Sequence, residues 1–62
     1  MGFIKLKRKA DGETIYVNVN LIAAVYPHYE RRNITIVSLI SEEWFDVEET
    51  IEEVMKLIRG GE

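Results

Sequence analysis

The chain contains no cysteine, one proline, one histidine and no apolar run near the length of a membrane span. Without cysteine it has neither a disulfide nor a thiolate zinc site, the staples that small scaffolds commonly use to support a thin core. The histidine, His28, precedes Glu30 in a His-x-Glu pattern, but the Cys-x-x-Cys that zinc deaminases pair with it is missing. No metal, cofactor or catalytic residue is expected. A membrane helix needs about 20 apolar residues, whereas Met1-Gly2-Phe3-Ile4 runs straight into Lys5 and offers no signal-peptide apolar region either. Met1-Gly2 opens like a myristoylation motif, yet Leu6 stands where Ser or Thr is wanted. The expectation is a cytoplasmic protein without membrane insertion.

What is there is short and highly charged. At 62 residues the chain reads as one domain, 1–62, and a domain of that size buries only about 60% of the surface its unfolded chain exposes. A second copy is a natural way to cover the remainder, so a homodimer is expected. The net charge of −3 is divided along the sequence. Lys5, Lys7, Arg8 and Lys9 make the start basic, while Glu42, Glu43, Asp46, Glu48, Glu49, Glu52 and Glu53 make the last third acidic. This reads as a bipolar molecule. The lysines suit the solvated face of an edge strand, where charge discourages unwanted pairing, and the acidic residues suit the start of a helix.

Hydrophobic periodicity supplies the elements. Ile4 and Leu6 alternate with Lys5 and Lys7, and beyond Ala10-Asp11-Gly12-Glu13 the alternation resumes as Ile15, Val17 and Val19 against Thr14, Tyr16 and Asn18. Asp-Gly between alternating runs predicts a hairpin with a type I′ turn, both of whose central residues need positive φ. Asn20 is a candidate cap for a single helical or 3₁₀ turn over Leu21 and Ile22. A third strand is expected over 23–29, with Pro27 marking an edge or a bulge because it donates no ladder hydrogen bond. Ile34 to Ile40 is nearly continuously apolar and β-branched, which predicts the central, most buried strand.

The clearest segment is the last. Trp44 to Val47 reads as a short strand, in which either Trp44 or Phe45 must point away from the core. Thr50 precedes Glu53 by the spacing of a capping box. Ile51, Val54, Met55 and Ile58 then fall at i, i+3, i+4 and i+7 of an amphipathic helix, stopped by Gly60-Gly61. A helix of about 10 residues is marginal alone and must dock. The fold class is therefore α+β: a small curved antiparallel sheet of four to five strands with one C-terminal amphipathic helix packed on it.

Gly12, Tyr16-Val17-Asn18, Leu21-Ile22, Ile34-Thr35-Ile36 and Val47-Glu48-Glu49-Thr50 with Glu53-Val54 together resemble the small flagellar and swarming-motility accessory family of the FlbD/SwrD type. The same layout is similar to small orphan proteins of phages and mobile elements. Ser41-Glu42-Glu43 stands where the motility family uses a turn containing glycine. The resemblance implies a non-enzymatic accessory role.

Three binding readings follow. Tyr16, Tyr26, Tyr29 and Trp44 are too many aromatics for so small a core and form a candidate interface, since Tyr and Trp favour interfaces. Glu48, Glu49, Glu52 and Glu53 form a candidate acidic docking face, which in an inhibitor of phage origin would occupy a basic site on a host protein. Lys5, Lys7 and Lys9, with Tyr16 on the adjacent strand, form a candidate basic face for nucleic acid, which the overall acidity opposes.

Overall fold

Strand β1 (Phe3–Lys7) pairs antiparallel with β2 (Thr14–Asn18). A 3₁₀ turn (Val19–Leu21) leads into β3 (Ile22–Pro27), which pairs with β4 (Thr35–Leu39), which in turn pairs with β5 (Trp44–Val47). Helix α1 (Ile51–Gly60) closes the chain. This computed structural model describes residues 2–60, so Gly61, half of the expected helix stop, lies outside the described residues. The class is α+β, with five antiparallel strands arranged as a two-stranded and a three-stranded sheet. No helix among the described residues is long and apolar enough to cross a membrane.

The two sheets meet where β1 ends. Arg8 bridges Val47, the Lys9 N–H donates to the Asp46 carbonyl at 2.7 Å, and the Glu48 N–H donates to the Lys7 carbonyl at 2.9 Å. Across that junction the strand order is β2-β1-β5-β4-β3, with β2 and β3 at the free edges. From Lys7 onward the chain is thus flanked on both sides, so Lys7 and Lys9 do not guard a free edge as alternation alone suggests.

Period-2 patterning sorts the faces as expected. Ile4, Leu6 and Val17 turn inward opposite one another with Val37 and Val47, and Val54 of the helix completes the buried cluster. Leu57 and Ile58 pack against the same cluster, whereas Met55 of the predicted stripe lines an open groove beside β3. The capping box forms in full: the Thr50 N–H donates to Glu53 Oε1 at 2.9 Å and the Glu53 N–H donates to Thr50 Oγ1 at 3.1 Å. Two of the orphan donors at the helix start are thereby satisfied.

Several local expectations need correction. The β1–β2 connection is no two-residue turn. The Arg8 N–H donates to the Glu13 carbonyl and the Gly12 N–H to the Arg8 carbonyl, both at 2.8 Å, enclosing residues 9–12. Only Gly12, at φ +73°, is left-handed there, so the type I′ requirement on Asp11 is not met. Asp11 instead chelates the loop, accepting from the Arg8 guanidinium at 2.9 and 3.1 Å and from the Glu13 N–H. The 3₁₀ turn is capped by Asn18, whose Oδ1 accepts the Asn20 N–H at 2.9 Å, rather than by Asn20 itself. β3 stops at Pro27, at a free edge where a missing N–H costs no ladder bond. In the β4–β5 turn it is Glu42 that adopts the left-handed conformation, at φ +76°.

Candidate interaction surfaces

The inward residues of β3, β4 and β5 fix what their neighbours do. Because Thr35, Val37 and Val47 are buried, the alternate residues emerge on the opposite face. The register sets them in rows: Ala24 opposite Ser38 opposite Trp44, and Tyr26 opposite Ile36 opposite Asp46. At one end Leu21 and Ile40 extend the pattern, held together by the Ile40 N–H donating to the Leu21 carbonyl at 2.8 Å. Leu21, Tyr26, Trp44 and Ile40 are 43%, 45%, 60% and 64% exposed. No element among the described residues lies over this face, since α1 packs against the inner side, touching β1 and β3.

β4 is therefore central in its sheet but covered on one side only. Its unbroken apolar run suggests burial on both faces, and for that reason the sequence does not mark the half-buried Ile36 and the exposed Ile40 as outer-face residues. The polar side chains in the two rows are Ser38 and Asp46, and Asp46 Oδ1 is enclosed without a hydrogen-bond partner. Such an atom is uncommon in a native structure, where most buried polar groups are paired.

The four aromatic candidates separate. Tyr26 and Trp44 share the outer face just described, and Phe45 takes the inward position. Tyr16 projects from the other sheet, opposite Lys5 and two pairs along from Phe3, on the same face. Tyr29, 81% exposed, stacks on His28 at a centroid distance of 4.9 Å beyond the end of β3. His28 itself organises the loop that follows, because its Nδ1 accepts the N–H groups of Glu30 and Arg31, both at 3.1 Å.

The charged candidates are placed side by side rather than at opposite poles. Lys5, Lys7 and Lys9 are exposed on and beyond β1, and the Lys7 N–H donates to Glu49 Oε1 at 3.1 Å. Glu53 is engaged in the helix cap, which leaves Glu48 and Glu52 as the side chains of that acidic set that accept no hydrogen bond among the described residues. At the β1–β2 loop the Arg8 guanidinium and the Glu13 N–H hold the Asp11 carboxyl below its ordinary range, and Asp11 raises Arg8 in return. Comparison with protein-family models, curated proteins and solved structures gave no match.

Proposed function

We propose that this chain is a non-enzymatic protein-interaction module that self-associates and offers the outer face of β3, β4 and β5 to a partner protein. The observation that carries the reading is the row pair led by the exposed Trp44 and Tyr26, with the half-buried Ile36 between Tyr26 and Asp46 and the exposed Ile40 and Leu21 flanking it. In a chain of which 31% is charged, Asp46 is the one charge in those rows. Exposed apolar patches of this kind mark interaction sites, and Trp and Tyr supply large contact area with few torsions to freeze. The partner should bring apolar side chains to meet Trp44, Tyr26, Ile40 and Leu21. An accessory role of the motility kind is compatible with such a module.

The inhibitor reading, in which the acidic set occupies a basic site, has less support. Glu49 and Glu53 already accept hydrogen bonds within the chain, and Lys7 lies against the same segment. Nucleic-acid binding through Lys5, Lys7 and Lys9 is opposed by the net charge of −3 and by the Glu49 carboxylate held at the Lys7 backbone.

Affinity capture from native cells separates these readings when wild type is compared with Trp44→Ser and with the double variant Glu48→Gln/Glu52→Gln. A partner held by wild type and by the double variant but lost by Trp44→Ser supports the apolar face. Loss with the double variant and retention by Trp44→Ser would transfer the site to the acidic segment.

A further inference from the structure

The stretch 14–29 contains no Lys, Arg, Asp or Glu, and it includes both strands that end the sheet order, β2 and β3. Proteins commonly blunt free edges with charge; here the charges lie elsewhere. Beside β3 runs an open apolar groove of about 350 Å³ between the strand and the helix, lined by Val19, Ile22, Ala23, Ala24 and Val25 on one side and Met55 and Ile58 on the other.

The hydrogen-bond phase of β3 defines what its free edge presents. The His28 N–H donates to the Ile34 carbonyl, so in this antiparallel ladder Tyr26 and Ile36 form a bonded pair while Val25 and Val37 do not. The Val25 N–H and carbonyl consequently point away from β4, into the open edge. Pro27, on the same side, contributes a carbonyl and no donor. A bulge near Ala23 and the proline together confine the usable edge to a short segment centred on Val25.

We infer that a second copy of this chain occupies that edge, through antiparallel β3–β3 pairing on a two-fold axis at Val25. The inference rests on the self-association part of the proposed function and gives it a location. On such an axis the Val25 N–H of each copy donates to the Val25 carbonyl of the other, and one contact closes both edges, as an isologous interface requires. The charge pattern limits how two copies meet: molecules of net −3 repel and must approach along uncharged surface, and of the two uncharged edges β3 is the one with the apolar groove beside it. β3 also carries what the groove admits. Ile22 and Val25 are apolar on the groove side, and the small exposed Ala23 and Ala24 let the backbones close. The two-fold sets the Met55 and Ile58 sides of both grooves toward each other across the paired strands, so apolar surface open in one copy is covered in two.

The test uses Ala24, which is exposed beside the groove at the strand edge and stands diagonal to its own mate across the proposed axis, within reach of long side chains. Sedimentation of wild type should show a dimer. Ala24→Lys and Ala24→Glu should each weaken it by roughly tenfold or more, through like-charge repulsion, and an equimolar mixture of the two should restore it, which also establishes that both variants fold. Amide exchange at Val25 should slow on concentration, while that of Tyr26, already bonded to β4, should not change. A dimer that both charge variants keep, or one dissociated by Trp44→Ser alone, would overturn the edge assignment and leave self-association standing. A wild type monomeric at all concentrations would overturn both.

Discussion

The Lys7 N–H donates to Glu49 Oε1 across 42 residues of sequence, at 3.1 Å. With the Lys7 carbonyl accepting the Glu48 N–H, this ties the basic first strand to the acidic segment before the helix. The two charge blocks that look separate in the sequence are joined edge to edge, and the helix starts from that junction. Glu49→Ala should therefore cost about 1 kcal/mol, the net worth of one hydrogen bond, whereas Glu48→Ala, with an exposed side chain, should fall within about 0.5 kcal/mol of wild type. Urea unfolding midpoints of the two variants give the comparison.

The reciprocal cap between Thr50 and Glu53 offers a second measurement. Thr50→Ala removes the hydroxyl that accepts the Glu53 N–H and should destabilise by about 1 kcal/mol, while Thr50→Ser should retain most of the cap. Equal losses in both variants would indicate that the hydroxyl is not what holds the helix start.

Glu42 is the one non-glycine residue at positive φ among the described residues, at +76° in the β4–β5 turn. A left-handed conformation costs an ordinary L-residue roughly 1–2 kcal/mol, less whatever the greater freedom of glycine in the unfolded chain returns. Glu42→Gly should raise the thermal midpoint, and a lowered midpoint would contradict the strained turn.

Acid titration should reveal the β1–β2 loop. The Arg8 guanidinium and the Glu13 N–H lower the folded-state pKa of Asp11, so the stabilising contribution of this carboxylate is present above its unfolded value, about 3.9, and is lost as pH falls through the lower folded value. The group is exposed, and the effect should be small. Asp11→Asn, which keeps an acceptor for Glu13, should flatten that part of the acid limb and leave stability unchanged in its pH dependence above it.

Much of the architecture is written in local signals. The capping box, the apolar stripe through Val54 and Ile58, and the alternation of Ile4, Leu6 and Val17 each announce an element and its inward face. The sequence is less explicit about which elements meet. Nothing in Arg8 or Val47 advertises their bridge, because strand neighbours are chosen by the closing of the whole sheet rather than by nearby residues. The sequence reading picks Asn20 as the cap, whereas the backbone path places Asn18, of the same residue type, in that role. Ile36 and Ile40 are hidden for a different reason: an unbroken β-branched run reads as burial on both faces, and a strand with one bare face leaves the same trace. The free edge at β3 is legible in part through Pro27, while the absence of charge along it gains meaning only once β2 and β3 are known to end the sheet.

The most direct test of self-association is the solution mass of wild type by sedimentation over a wide concentration range. Pairing at the β3 edge predicts a reversible transition from the 7.2 kDa chain to twice that mass as concentration rises. A mass that stays at 7.2 kDa throughout would contradict it and would leave both the β3 edge and the outer face to a different molecule.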